Sequence, residues 1–510
     1  MASSRPTLFC NAAVHTVDDR MPLASWFVVL GDRFQKMGLG QPPPVPGNHR
    51  VDLGGRAVVP GFVDAHAHFF QTGVDALHID LGSVTTVDGL IERLQAGAPE
   101  GSRSWVFAHS FEEDALVDAK RLTRAELDRL SADRPIWVNR IDYHSAVVNT
   151  AALRRLEIPS DTRGLMAGSD GRPNGILRSD AYFHAKTQVA RFYTLETKDR
   201  AIRASVHQML RKGITAVHAL EGGRVFGDEG AHQVLRRMNS LPLDVTVFLQ
   251  EKNVFFTKRL GFERLGGCIL IDGSIGSYTA ALDHDYEGTK GVRGVLYEKP
   301  RELLAFVDQA NRAGVQLAFH AIGPRAIEQI LNTYEKALER SPRFDHRHRI
   351  EHFELATDDQ IRRAAALGII ASMQPAFEHF WGGPDGMYAA RLGERWRTTN
   401  RLRTILDGGM VIAGGSDTNV TPADPLLGIH AAVNHPNAQQ RVTPTEALRM
   451  MTLDAAYAAF NDSRHGSITI GKEASFAVLN ADPLTVPADQ IREIEVDETW
   501  SRGRRTWLRD

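Results

Sequence analysis

Two histidines separated by one residue, His66 and His68, end the apolar stretch VVPGFVDAHAH at residues 58–68. Such a stretch is typical of a buried β-strand, and side chains two residues apart on a strand point to the same side. The two imidazoles would therefore project together and could bind one metal ion. Because imidazole is a common ligand of zinc, the pair predicts a metal site at the end of a strand.

Other residues that could bind a metal or transfer a proton also stand at the ends of apolar runs. His320 lies in AFHAIG, His352 in IEHFE and Asp417 at the end of AGGSD. We predict metal roles for the two histidines and a catalytic role for Asp417. The alternatives are buried histidines with hydrogen bonds of their own, and an aspartate that caps the following helix.

These residues can act together only if the strands that carry them converge. The middle of the chain alternates strand-like and helix-like segments, for example RELLAFVDQANRAG before the fifth strand. That alternation predicts parallel βα units, and eight of them predict a (β/α)8 barrel, whose reacting groups lie at the C-terminal ends of its strands. The eight strand candidates are RAVVPGFVDAH, GITAVHAL, LDVTVFL, GCILIDGS, VQLAFHAIG, HRIEHFE, GIIASMQP and MVIAGGSD.

The two ends of the chain differ from the middle and resemble each other. Residues 1–57 and 466–510 alternate short apolar runs with turns, which predicts one small β-sandwich built from both termini. We assign residues 58–465 to the barrel. An inserted lobe at about 80–195 would follow the first strand, because structureless loops of that length are uncommon in compact domains.

Composition is that of a soluble globular protein. Of the 510 residues, 43% are hydrophobic and 24% are charged. A formal charge of −2 argues against a broad surface for nucleic acid or an anionic membrane. We find no signal peptide and no stretch long enough to span a bilayer. The only two cysteines, Cys10 and Cys268, exclude a disulfide framework and favour a reducing, cytoplasmic setting.

Seven motifs occur in a characteristic order: VVPGFVDAHAH, DGSIGSYTAAL, HAIG, IEH, SMQP, GSD and GSITIGKEASFAVLNADP. In these motifs the chain resembles the amidohydrolase superfamily, and within it the amidohydrolase-3, YtcJ-like branch, which includes N-substituted formamide deformylases. The likeness runs almost end to end. It includes the inserted lobe, where DRPIWVNRIDYHSAVVNTAAL and DGRPNGIL have counterparts in that branch.

The resemblance implies a role for each candidate residue. His66 and His68 would bind one metal ion with Asp417, while His320 and His352 would bind a second metal ion or contact the substrate. The expected cofactor is therefore one or two divalent ions, zinc first. Zinc lowers the pKa of bound water to about 7. Asp417 would accept the proton of that water and pass it to a leaving amine.

Cys268 departs from the family pattern. Many relatives have a lysine four residues before the aspartate of DGS, and in related amidohydrolases a strand-four lysine is carboxylated and bridges two metals. A cysteine here could be a thiolate ligand, as in the D-aminoacylases of the superfamily, or a small hydrophobic residue that fills space. The carboxylated-lysine version of the site is put in doubt either way.

Substrate contacts are expected from three further segments. His144 in DYHSAVVN matches a substrate-facing histidine of the branch, although it could be an ordinary loop histidine. Tyr278 stands where relatives often have arginine, which removes a charge that could meet an anionic substrate. The loop QPAFEHFWGGPDGMY contributes Gln374, Phe380 and Trp381, either as a hydrophobic lid that favours apolar or aryl groups or as a packed surface loop.

Three functions are compatible with these features. The first is a metal-dependent hydrolase that cleaves the C–N bond of an amide, formamide or cyclic amide in a small molecule. The second uses the same metal site for decarboxylation, C–C hydrolysis or isomerisation. The third, ranked last, is a non-catalytic metal-binding regulatory protein, against which the presence of Asp417 argues. We expect a small-molecule substrate and no nucleic-acid or membrane partner, and a homodimer is left open.

Overall fold

The computed structural model describes residues 5–45, 47, 49–98, 104–117, 121–223 and 228–510. The strands in these residues are β1 (Thr7–His15), β2 (Leu23–Leu30), β3 (Arg33–Gly38), β4 (His49–Asp52), β5 (Ala57–Pro60), β6 (Phe62–Ala67), β7 (Ile79–Asp80), β8 (Val106–Phe111), β9 (Ile136–Arg140), β10 (Ser145–Val148), β11 (Leu165–Ala167), β12 (Pro173–Arg178), β13 (Ile214–Glu221), β14 (Asp244–Leu249), β15 (Arg264–Leu270), β16 (Gln316–Ala321), β17 (Arg349–His352), β18 (Ile370–Met373), β19 (Ile412–Gly414), β20 (Phe476–Leu479), β21 (Val496–Ser501) and β22 (Arg504–Leu508). The α-helices are α1 (Phe69–Asp75), α2 (Val87–Gly97), α3 (Arg124–Leu130), α4 (Thr150–Arg155), α5 (Ser179–Val189), α6 (Leu195–Arg211), α7 (Asp228–Arg237), α8 (Val254–Arg259), α9 (Pro300–Arg312), α10 (Pro324–Arg340), α11 (Asp358–Leu367), α12 (Ala376–Trp381), α13 (Met387–Leu392), α14 (Leu402–Asp407), α15 (Pro425–Val433), α16 (Pro444–Met450) and α17 (Leu453–Tyr457).

Eight parallel strands form the barrel, in the order β6, β13, β14, β15, β16, β17, β18 and β19. The last strand returns to the first through two backbone hydrogen bonds. The amide of Asp417 donates to the carbonyl of His66 at 2.8 Å, and the amide of His68 donates to the carbonyl of Thr418 at 2.7 Å. Each predicted strand candidate contributes one barrel strand, so the predicted (β/α)8 fold is confirmed.

Local sequence explains how a helix returns the chain to the barrel. Before α11, the Thr357 hydroxyl accepts from the amide of Gln360 and the Gln360 side chain accepts from the amide of Thr357, which is a capping box. The helix ends at Gly368, whose φ of 71° is left-handed. Glycine adopts this conformation without a Cβ clash, and the chain turns directly into the buried strand β18.

The segment between β6 and β13 folds as a lobe with a sheet of its own. Its six strands run in the order β11, β12, β10, β9, β8 and β7. Side chains of the lobe reach the barrel: Lys186 donates to Gln71 Oε1 at 2.9 Å, and the Tyr143 hydroxyl donates to Asp75. This contact holds the segment that follows β9 over the C-terminal end of the barrel.

Both termini build one eight-stranded sheet, in which β5 and β20 pair side by side. The sheet folds over on itself, since the ring of Phe34 on β3 lies 6.2 Å from that of Phe476 on β20 although three strands separate them. A single terminal domain made from both ends of the chain is therefore confirmed. Within the described residues, we find no helix with the length and apolar character needed to cross a membrane.

Candidate active site

His66, His68 and Asp417 meet where β6 ends and where the chain leaves β19. The Nε2 atoms of His66 and His68 lie 3.1 and 3.0 Å from the same oxygen, Asp417 Oδ1. Although these distances are short, that oxygen has no hydrogen-bond partner among the described residues. The three side chains are buried. Two imidazole nitrogens and one carboxylate oxygen thus converge on one point, which is the arrangement expected around a shared cation.

Cys268 on β15 joins the same cluster from the opposite wall of the barrel. Its Sγ lies 3.6 Å from Nε2 of His68 and 3.9 Å from Nε2 of His66. Burial alone would raise the pKa of this thiol, but the neighbouring His68 and His66 imidazoles bring it below its ordinary value. Both the position of the thiol beside two imidazoles and its lowered pKa are therefore those expected of a thiolate ligand.

The Nδ1 atoms of His66 and His68 form hydrogen bonds on the side of each ring that faces away from Asp417. Glu351 Oε2 accepts from His66 Nδ1 at 2.7 Å, and the Leu220 carbonyl accepts from His68 Nδ1 at 3.2 Å. Arg349 in turn donates to both oxygens of Glu351, each at 2.8 Å. Partners of this kind fix the tautomer of a ligating histidine, so both Nε2 atoms are left to face Asp417 and Cys268.

His352 and His320 stand beside this cluster with their ring centroids 4.5 Å apart. Gln374 Oε1 accepts from His352 Nδ1 at 2.7 Å, and the Gly273 carbonyl accepts from His320 Nε2 at 3.1 Å. Burial lowers the pKa of His352 to about 4 and that of His320 well below its ordinary value. Both rings are therefore neutral near pH 7. His352 lies within ligand distance of His66 and Asp417, whereas no such group among the residues that the structure describes includes His320.

Two of these residues have a strained backbone. The φ angles of His352 and Asp417 are 71° and 55°, in the left-handed region that residues other than glycine seldom adopt. Each such conformation costs about 1–3 kcal/mol and persists only where surrounding contacts enforce it, which is frequent at functional sites. Asp417 is held in this conformation by the hydrogen bond from its amide to the His66 carbonyl.

The donor set fits a divalent transition metal. Imidazole nitrogens, a thiol and a carboxylate are the preferred ligands of zinc, and they are contributed here by His66, His68, Cys268, Asp417 and His352. Burial would raise the pKa of Asp417, yet the His66 and His68 imidazoles hold it well below its ordinary value. A buried carboxylate that stays ionised needs a positive neighbour, and a metal ion would supply one.

A pocket opens from this cluster toward the inserted lobe. Its floor carries Asp417, His320 and His352, and its apolar wall includes Ile275, Ile322, Phe377, Trp381, Met387 and Val420. The lobe contributes Glu112, Arg140, Asp142 and His144. The half-buried His144 ring has its centroid 5.9 Å from that of His320. The lobe therefore completes the site that the barrel begins.

The remaining residues predicted to contact substrate occupy different positions. Trp381 lines the pocket, but its neighbour Phe380 is 46% exposed and does not line it. Gln374 orients His352 instead of lining the pocket. Tyr278 packs beside Tyr286 and beneath the Arg391 guanidinium, 4.4 Å from its ring centroid, and does not line the pocket.

Several site residues were not predicted. Glu351 and Arg349 are charged residues inside the apolar strand β17, two positions apart and so on one side of it, and that pattern could have indicated a buried ion pair. Glu112 and Arg140 belong to the lobe, and nothing in their local sequence marks them. Asp272 of the DGS motif accepts from the amides of Ala281, Ile322 and Gly323, so it shapes loops instead of facing the cluster.

Comparison with known proteins agrees with this geometry. The protein YtcJ of Bacillus subtilis (strain 168) is 28% identical over 90% of this chain and 90% of its own. N-substituted formamide deformylase of Arthrobacter pascens is 27% identical over 99% of this chain and 98% of its own. The crystal structure of an uncharacterized metal-dependent hydrolase from Pyrococcus furiosus superposes with a TM-score of 0.76 at 25% identity, and the match covers 94% of this chain and all of that one.

The family assignment follows from a match to a family model. The model described as Amidohydro_3, amidohydrolase family, matches residues 50–507, which include the whole barrel and nearly all of the C-terminal segment but only residues 50–57 of the N-terminal one. That range also contains the six residues predicted as metal ligands. The chain belongs to the amidohydrolase family.

Proposed function

We propose that this protein hydrolyses a C–N bond in a small amide, formamide or cyclic amide with the help of one or two divalent metal ions, zinc first. One observation carries the proposal. Asp417 Oδ1 faces two histidine nitrogens at 3.0 and 3.1 Å without a hydrogen bond, and the same residue lines the pocket. A carboxylate that lies both in the histidine cluster and at the pocket can bind a cation and exchange protons with a substrate.

Zinc, when bound to His66, His68 and Asp417, would lower the pKa of a coordinated water. The His66 and His68 imidazoles keep Asp417 ionised by holding its pKa well below its ordinary value. An ionised carboxylate at the floor of the pocket can accept a proton from the attacking water. It can then release that proton to the nitrogen of the leaving amine. His352 donates from Nδ1 to Gln374, which leaves its Nε2 unprotonated in the neutral ring and open as a ligand or proton acceptor.

The walls of the pocket favour an uncharged substrate with an apolar or aryl group. Ile275, Phe377 and Trp381 supply hydrophobic surface. The Arg140 guanidinium in the pocket pairs with Asp142 at 2.7 Å, so its charge is balanced before any substrate binds. N-substituted formamides of the kind named in the Arthrobacter pascens relative fit this description.

In the second candidate function the same metal site would act on a bond other than a C–N bond. Decarboxylation, C–C hydrolysis or isomerisation would use the same cluster, and the pocket alone does not distinguish them. A non-catalytic regulatory role ranks last, because a protein that only binds metal needs no general base such as Asp417. Cytoplasmic location, a small-molecule substrate as partner and an open choice between monomer and homodimer remain predictions from the sequence.

A substrate panel tests the proposal. Zinc-loaded protein is incubated with N-aryl and N-alkyl formamides, simple amides and cyclic amides, and amine, carboxylate and carbon dioxide are each measured. We expect release of amine in equal amounts with the acid from at least one class. The matched control is Asp417→Asn, which keeps the size of the side chain and should reduce turnover by about a hundredfold or more. Carbon dioxide or ketone without amine would instead support the second function.

A further inference from the structure

A second cluster of metal-binding side chains lies at the opposite end of the barrel from the pocket. It consists of Asp244, at the start of β14, His465, in the loop after α17, and Glu473, shortly before β20. One atom from each residue lies within 4.8 Å of the other two. The three residues come from the barrel, from the segment that leaves it and from the terminal sheet.

The imidazole of His465 is buried, with 4% of the residue exposed, and neither of its ring nitrogens has a hydrogen-bond partner among the described residues. Its Nε2 lies 3.4 Å from Asp244 Oδ2 and 3.8 Å from Glu473 Oε2. Glu473 is also buried, and its Oε2 is likewise unpartnered. Two atoms without hydrogen-bond partners, His465 Nε2 and Glu473 Oε2, therefore lie close to Asp244 Oδ2, which accepts from Arg464.

From this geometry we propose that Asp244, His465 and Glu473 bind a divalent transition metal ion such as zinc. Zinc binds nitrogen and carboxylate oxygen at about 2.0–2.2 Å, so two such ligands of a tetrahedral ion are about 3.4 Å apart. The separation of His465 Nε2 from Asp244 Oδ2 is 3.4 Å. The active-site cluster shows the same feature, ligand atoms at short distance without a hydrogen bond between them.

Arg464 supports the ligands from outside. Its Nε donates to Glu473 Oε1 at 2.9 Å, which orients that carboxylate and leaves Oε2 for the metal. Its Nη2 donates at 2.8 Å to Asp244 Oδ2, the same oxygen that faces His465, so a metal ion would share that oxygen with Arg464. Ligating carboxylates are usually held by such partners. The competing arrangement is a protonated His465 between the two carboxylates. In that imidazolium the Nε2–H would have Asp244 Oδ2 only at 3.4 Å, and the buried Nδ1–H would have no acceptor among the described residues.

The site would be structural, because it lies at the N-terminal end of the barrel strands and not at the catalytic end. It would link the barrel to the terminal sheet through Glu473. A metal ion bound to the folded chain and not to the unfolded chain raises stability. We therefore expect zinc at this cluster to raise the melting temperature without changing turnover.

Zinc content per chain tests the proposal. The protein is stripped with a chelator, dialysed to equilibrium against a zinc buffer and measured by mass spectrometry. His465→Gln and Glu473→Gln should each hold one equivalent fewer than the wild type, with unchanged turnover. His430→Gln, which changes a buried histidine outside both clusters, should hold the full amount.

The double variant His66→Ala/His68→Ala separates the two sites. This double variant should lose the zinc of the active site and keep one equivalent at the second cluster. Adding His465→Gln to the double variant should remove that remaining equivalent. If His465→Gln does not fold, Glu473→Gln carries the same comparison, since it keeps size and polarity. Equal zinc content in the wild type and in these variants would overturn the proposal and identify the cluster as an ion-pair network only.

Discussion

The thiol of Cys268 lies 3.6 Å from Nε2 of His68, across the barrel from strand β6. This separation matches two ligands of one tetrahedral zinc ion, since bonds of about 2.3 Å to sulfur and 2.0–2.1 Å to nitrogen place the two atoms about 3.6 Å apart. A cysteine that only fills space has no reason to face two imidazoles. The relationship therefore favours ligation over packing.

Replacement of Cys268 by alanine should lower zinc content and activity together, and added zinc should restore part of both. Serine should rescue poorly, because an alcohol stays protonated where a thiol ionises. Zinc stoichiometry and melting temperature are measured on the same sample. Full zinc content together with a lowered melting temperature would show that the thiol only packs. The cavity left by its removal should then lower the free energy of unfolding by about 1 kcal/mol.

Loss of both histidines of β6 should remove most of the active-site metal. His66→Ala/His68→Ala takes two imidazoles from one coordination sphere, and their rear partners Glu351 and Leu220 cannot replace them. Zinc binding is followed by titration calorimetry, with His184→Ala, an exposed histidine on α5, as the control. An unchanged high-affinity phase in the double variant would show that these residues are not ligands.

Trp381 and Phe380 form a matched pair on α12. Trp381 is 9% exposed and lines the pocket, whereas Phe380 is 46% exposed and does not. Trp381→Ala should raise KM for an aryl substrate about tenfold, because it removes buried aromatic contact area. Phe380→Ala should leave KM unchanged. Steady-state kinetics of the two variants give the comparison, and equal effects would argue against an aryl subsite at Trp381.

Stability should fall on mild acidification, in part through His78. Burial lowers the pKa of this imidazole to about 4. Because the unfolded value is about 6.5, the unfolded chain binds more protons between these limits. The stabilising effect of the neutral ring is thus complete above pH 6.5 and is lost as the pH falls toward 4, by about 2 kcal/mol.

His78→Phe tests this dependence. Phenylalanine keeps the stacking on Phe107, whose ring centroid lies 4.8 Å away, and cannot be protonated. The free energy of unfolding of wild type and variant is measured in denaturant at pH 7 and pH 4.5. At the lower pH, the free energy of unfolding of the variant should rise relative to that of the wild type. His184→Phe, which changes an exposed histidine, should show no such rise. A constant difference between the two pH values would contradict the assignment.

Local sequence patterns were sufficient to predict much of the fold. Apolar runs of strand length, separated by helix patterns, predicted each barrel strand, because parallel strands buried on both faces must be nearly continuous in hydrophobic residues. The His66 and His68 pair could be predicted as a convergent pair for the same reason. Side chains two residues apart on a strand always share a side, whatever the rest of the fold does.

Other properties depended on which segments meet in space. Phe380 and Tyr278 were expected near the substrate, yet Phe380 is largely exposed outside the pocket and Tyr278 packs beneath Arg391. Glu112 and Arg140 enter the pocket only because the lobe docks on the barrel. The orientation of Cys268 toward His68 was likewise undecided, since a buried thiol can pack or ligate and its sequence neighbours are the same in both cases. Ligation and packing are distinguished by distances between strands far apart in the chain, and tertiary structure alone sets those distances.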